Sequence, residues 1–249
     1  MTSVNTPPTR PLSWTKSSRR PLRSWRKSLA IWVFSRFVGV AVPWAAVRQA
    51  DGAKLLAYEH QRLLALSAAG EKVPPVLGFD GAALVTADIG PTLDECLATL
   101  APEARLRLLA AASADLAAFH ARGQWHGGAQ ARNMTWDGEH FARLDFEEQL
   151  CPALPLATVQ GYDMLQLVFS LARTLADLGP QAVYTVLLAY ANGGPPIDLR
   201  AFLRPLLPRL ARVSRWAAWS SSLDDSREVK RLRTVLAGMQ AFVDEAPPA

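Results

Sequence analysis

Between His120 and Glu148 the chain reads HARGQWHGGAQARNMTWDGEHFARLDFEE, a short stretch that gathers histidines, an asparagine and acids. Asn133 and Asp145 offer oxygen donors, the ligand type a hard divalent cation such as magnesium takes. Taken singly, an asparagine or an aspartate in a loop is more often a turn former. Spacing and the surrounding elements therefore have to carry the functional argument.

Those elements can be read in order. Ala53–Ala69 has leucines at three- and four-residue steps with Glu59 among them, and Gly70 after the last turn, which predicts a helix. Val73–Leu77 and Ala82–Ala87 read as strands joined at Gly78–Gly81. Asp88-Ile89-Gly90-Pro91 breaks the pattern and marks a lobe boundary, after which Thr92 and Glu95 form a capping box for a short helix to Leu100. Pro102 and Gly123 frame a buried helix over Glu103–Ala121. Met134–Trp136 and His140–Leu144 flank Asp137-Gly138, a hairpin turn signal. Apolar helices follow at Tyr162–Leu178, Gln181–Ala191, Leu199–Trp219 and Ser226–Val243, the third broken by Pro205 and Pro208.

The run His126-Gly127-Gly128-Ala129-Gln130-Ala131-Arg132-Asn133 has the spacing of the catalytic loop H-R-D-L-x-x-x-N, and Asp145-Phe146-Glu147 falls where D-F-G would stand. With His120, Gly123, His126 and Gly127 in an H-x-x-G-x-x-H-G run, the chain resembles the protein-kinase-like superfamily. Its small bacterial lipopolysaccharide core kinase and RIO-like members are the nearest in pattern, over roughly residues 54–178. The resemblance implies an α+β, two-lobed fold with a reduced N-lobe sheet and a helical C-lobe. It divides the chain into a flexible basic segment (1–24), an apolar basic segment with the reduced N-lobe (25–90) and the helical C-lobe (91–249).

Carried over residue by residue, the resemblance makes Asn133 and Asp145 the magnesium ligands on bound ATP, and His126 and Asp163 structural supports of the loop. Glu59 becomes the helix glutamate that holds a phosphate-gripping strand lysine. Arg48, in Ala45-Ala46-Val47-Arg48, stands where that lysine would be, although a guanidinium does not reproduce the geometry of an ammonium. The sequence departs from the pattern at two further points. No glycine-rich loop precedes Gly52, and the loop aspartate that orients the attacking hydroxyl is Gly128; Asp137, Glu147 or Glu148 could substitute for it, although no spacing selects one of them, and Gln130 is the weak candidate to orient a hydroxyl in its stead. Two functions follow from the same fold: a divergent ATP- and magnesium-dependent phosphotransferase acting on a hydroxyl acceptor (a lipid-linked sugar, a small molecule or a protein), or a catalytically impaired pseudokinase serving as scaffold or regulator.

Charge adds an address. Residues 1–50 hold nine Lys/Arg and no acid, while the remainder carries eighteen basic against twenty-two acidic residues. Aromatics beside these arginines, Trp25, Trp32, Phe34, Phe37 and Trp44 among them, suit an anionic membrane surface. The expected location is peripheral, on the cytoplasmic face of the inner membrane. Arg36 and Pro43 oppose a span over residues 29–47, which leaves packing on the N-lobe or lying on the surface. Arg200, Arg204, Arg209, Arg212 and Arg215 with Trp216 and Trp219 form a second basic-aromatic group. Nucleic acid is the weaker partner, because no reading motif accompanies the basic residues. Cys96 and Cys151 form neither a metal cluster nor a disulfide framework and fit a reducing compartment.

Overall fold

A computed structural model describes residues 12–19, 22–49, 51–151, 153–219 and 227–245. In chain order these form β1 (Ser13–Ser17), α1 (Trp25–Val38), α2 (Trp44–Val47), α3 (Gly52–Ala68), β2 (Val76–Phe79), β3 (Ala83–Ala87), α4 (Leu93–Thr99), α5 (Pro102–Ala121), β4 (Met134–Trp136), β5 (Phe141–Arg143), α6 (Leu156–Ser170), α7 (Ala172–Leu178), α8 (Pro180–Asn192), α9 (Leu199–Leu203), α10 (Leu207–Trp219) and α11 (Arg227–Asp244). Helix makes up 59% of the molecule and the strands form small antiparallel sheets, so the class is α+β.

Three strands in the order β1-β3-β2 make the N-terminal sheet. β2 and β3 are the hairpin that the sequence predicts, closed by Asp80, whose Oδ1 accepts from the backbone of Ala82 (2.8 Å) and Ala83 (2.6 Å). β1 corrects the sequence reading. Ser13–Ser17 falls in a segment expected to be an unstructured lead-in, yet it pairs along its whole length with β3, Ser13 opposite Ala87 and Ser17 opposite Ala83. Five residues of mixed polarity carry little strand signal alone; the free edge of β3 supplies the partner. The expectations for residues 1–11 lie outside the described residues.

The apolar basic segment forms two helices. Ser24 caps α1, and α1 stops at Gly39, so it is too short to cross a bilayer; among the described residues no helix is long and apolar enough to do so. Ile31 and Trp32 pack on the core, while Trp25, Leu29 and Val33 face outward at four-residue steps. The side chains of Phe34, Phe37, Trp216 and Trp219 lie outside the described ones.

Below the sheet the helices pack around α5 and α8. Thr92 and Glu95 form the expected capping box at the start of α4. The helix expected over Tyr162–Leu178 starts earlier, at Leu156, and breaks at Leu171 into α6 and α7. α11 lies against α8 through Gly238: a β-carbon there would stand 2.4 Å from the Pro180 carbonyl oxygen and 2.5 Å from Val183 Cβ. Only a glycine lets the two helices approach so closely. Gly238→Val should therefore lower stability by about 2 kcal/mol or more through overpacking, read as a fall in the urea midpoint with an unchanged m-value; a midpoint within error of wild type would show that the contact yields.

Candidate functional site

Glu59 lies on the face of α3 that also buries Leu55, Leu56, Leu63 and Leu66. A carboxylate among leucines needs a compensating charge, and Lys16 of β1 provides it, with Nζ donating to Glu59 Oε1 at 2.5 Å and to Asp145 Oδ1. Burial pulls the Lys16 ammonium down, but the two carboxylates outweigh it and hold the group above its ordinary value, so it stays charged. Burial pushes Glu59 up, and Lys16 opposes that push. Glu59 Oε2 is buried and finds no hydrogen-bond partner among the described residues. The triangle ties together the sheet, α3 and the turn after β5.

Arg48 does not take this place. It caps α2 and lines a separate pocket with Gln49, Lys54 and Glu148. The sequence reading missed Lys16 because it sought a basic residue close before α3, and Lys16 stands forty-three positions before Glu59. The signal that could have found it was Glu59 itself, a charge on an apolar stripe that required a cation.

Beside the triangle runs a cleft of about 330 Å³ between β1, β3, α3 and the Asp88–Gly90 break, with Trp14, Thr86, Ile89 and Leu144 in its walls and Lys16, Glu59 and Asp145 at one end. Trp14 Nε1 donates to Asp88 Oδ1 at 2.8 Å, fastening β1 to the break. A cleft with apolar walls and a charged end suits a ligand with an apolar part and a polar or charged end.

The loop before β4 is held from beneath by α6. Asp163, fully buried, accepts the backbone N–H groups of His126 and Gly127, both at 2.7 Å, and lies 3.3 Å from His120 Nε2. One and two turns away on the same helix, Gln160 donates to the carbonyls of His120 and Gln124, Gln166 donates to that of Gly127, and Ser170 accepts from Ala131 N–H. His126 and Asp163 are thus structural supports, in line with the sequence reading. His126 accepts at Nδ1 from Gly128 N–H (3.2 Å) and donates from Nε2 to the Leu144 carbonyl (3.0 Å), which fixes a neutral tautomer.

Asn133 is buried, its Nδ2 donating to the Gly128 carbonyl at 2.9 Å, so its oxygen is the atom left to ligate. The Leu144 N–H donates to the Asn133 carbonyl at 3.0 Å, which brings Asp145 beside it across the β4-β5 hairpin. Asp145 has a φ of +70°, uncommon for a residue with a side chain. Both side chains offer the oxygen donors a hard cation takes; Asp145 lines the cleft, and Asn133 is not among its lining residues. Glu59, Asp145 and Glu147 also approach within 4.8 Å of one another, but two of these three grip Lys16, and acids often gather without an ion. Gln130 is placed elsewhere: it lines an apolar cavity with Ile31, Tyr162 and Leu165 and not the Lys16 cleft.

Burial holds His126 down to about 4, and holds His120 below its ordinary value as well. The unfolded chain takes up protons on both near pH 6.5 while the folded chain resists, so their contribution to stability is complete above that pH and is lost as pH falls toward 4. His126 alone should remove about 2 kcal/mol between pH 7 and pH 5. Urea titrations at the two values measure this, and equal stabilities would show that the imidazoles are not kept neutral.

In comparisons with known proteins, no family model matches the chain, and no curated protein matches it significantly.

Proposed function

We propose that the chain is a divergent phosphotransferase that binds ATP with magnesium in the cleft beside Lys16 and transfers phosphate to a hydroxyl acceptor. The observation that carries this reading is the Lys16–Glu59–Asp145 triangle, in which a strand lysine, a helix glutamate and the aspartate of the Asp-Phe-Glu turn meet at one end of the cleft. In the kinase-like pattern the lysine grips nucleotide phosphates and the glutamate holds the lysine in place. Lys16, on a regular strand, fills that role better than the exposed Arg48.

Each residue then has a part that follows from its placement. The apolar walls take the base, and Lys16 meets the phosphates at the charged end. Asn133 and Asp145 would hold magnesium, which supplies neutralisation of charge on the transferred phosphate. Asp163 and His126 keep the loop in place beneath them. Phosphoryl transfer relies mainly on positioning and charge neutralisation, so a site with these parts is suited to it even where the loop aspartate is absent. Gly128 favours the pseudokinase alternative, and turnover separates the two.

The outward Trp25, Leu29 and Val33 of α1, beside exposed Arg26 and Lys27, support an address at an anionic membrane surface, the inner face of the cytoplasmic membrane. On this reading the full chain floats with vesicles containing phosphatidylglycerol, and the double variant Trp25→Ser/Leu29→Ser loses most of that flotation at physiological salt. Equal flotation of the two would refute the role of this face.

Nucleotide binding is tested by thermal shift. Magnesium with ATP at a hundred times its Kd should stabilise the wild type by about 2.7 kcal/mol, seen as a raised Tm. Lys16→Met and Asp145→Ala, each folded, should lose most of the shift. A wild type that gives no shift at millimolar ATP would remove the reading.

A further inference from the structure

The loop residue that would carry the hydroxyl-orienting carboxylate is Gly128, yet the backbone there does not demand glycine. A β-carbon on Gly128 would meet only ordinary contacts, Glu148 Cγ at 3.6 Å and Asn133 Nδ2 and His126 Nδ1 at 3.7 Å. What stands nearest that position is the side chain of Glu148, supplied from the turn after Asp145. It also crowds the preceding residue: a β-carbon on Gly127 would lie 2.9 Å from Glu148 Cβ, at a φ of +83°. The 126–128 loop and Glu148 therefore fit as a pair, with glycines where the glutamate passes.

We propose that Glu148 supplies, from outside the loop, the carboxylate that orients the acceptor hydroxyl, with the acceptor's site in the small pocket that Glu148 lines. The pocket, about 180 Å³, is lined by Glu148 together with Arg48, Gln49 and Lys54, polar groups suited to a hydroxylated acceptor. Glu148 has about a fifth of its side chain exposed, which leaves it reachable, and Arg23 holds it by an ion pair while also donating to the Val47 carbonyl at 3.0 Å. Arg23 is thus a positioning residue from the segment before α1. In the step itself the acceptor oxygen forms a bond to the γ-phosphorus, the bond from that phosphorus to the bridging oxygen of ADP breaks, and the hydroxyl proton passes to Glu148. ADP leaves with the electron pair of the broken bond.

The inference rests on the phosphotransferase reading, and one experiment on the full chain separates them. Wild type, Glu148→Gln and the double variant Gly128→Asp/Glu148→Gln are each given saturating magnesium and γ-labelled ATP, with inorganic and protein-bound phosphate counted and the ATP-induced Tm shift measured alongside. Glu148→Gln is expected to keep the Tm shift and the KM for ATP while phosphate formation falls by about a hundredfold, in the range seen for general acid–base groups. The double variant is expected to recover a measurable part of that rate, which a merely structural role for Glu148 would not allow. A Glu148→Gln variant that turns over at the wild-type rate overturns the proposal, as does a loss of rate that the double variant leaves unrepaired. A wild type that shows the Tm shift but forms no phosphate also overturns it and leaves nucleotide binding standing. A wild type without the shift takes both readings down.

Discussion

The structure turns on one buried charge. Glu59 sits on the apolar face of α3, where an unpaired carboxylate would be costly, and the cation that answers it comes from a strand far away in the chain. That demand recruits β1 to the sheet edge, and because Lys16 also reaches Asp145, it sets the distance between the sheet and the turn after β5. A hydrophobic contact would have held α3 against the sheet equally well. The ion pair adds a charged end to a cleft whose other walls are apolar, and Lys16, which like Asp145 stays partly exposed, offsets the cost of the one buried carboxylate.

A second constraint acts from below. Asp163 takes two backbone N–H groups of one loop and faces the imidazole of His120, which in turn lies 2.6 Å from the Tyr190 hydroxyl. Four polar side chains of α6, otherwise an apolar helix, are all turned toward this loop. Their effect is to fix a stretch of irregular backbone inside a helical core, where unpaired peptide groups would be expensive. Asn133, whose Nδ2 donates to the Gly128 carbonyl, is therefore held by a rigid support.

Where the sequence was legible, local rules and long-range need agreed. Thr92 and Glu95 announced their helix, Asp137-Gly138 its hairpin, and the leucine spacing α3. Asn133, Asp145, Asp163 and Glu59 could be singled out because they fall at the positions that the resemblance to the kinase-like pattern marks. Lys16 could not, and no spacing distinguished Glu148 from the other acids nearby. Lys16 lies in a short strand without periodicity, whose existence depends on the exposed edge of β3. Only the fold shows the Glu148 side chain against the 126–128 loop and its carboxylate on Arg23. Both residues are fixed by pairing across more than a hundred positions, Lys16 with Asp145 and Arg23 with Glu148, which no local pattern records.

The basic excess of the first fifty residues looks different in this light. Read as a string it is a uniform positive head, but the fold divides it. Lys16 and Arg23 turn inward and pair with Glu59, Asp145 and Glu148, so their charge is taken up there. Arg26, Lys27 and Arg36 stay exposed on α1, next to the outward Trp25, Leu29 and Val33. Charge held within a short range of buried carboxylates is little affected by salt, whereas exposed charge is screened over about 8–10 Å at physiological ionic strength. One compositional feature thus divides into two groups with different salt sensitivity: the inward cations line the cleft and its neighbouring turn, and the outward ones remain exposed on α1. Because Arg23 lies just before Trp25, with the Ser24 cap between them, the inward and outward groups meet at the start of α1.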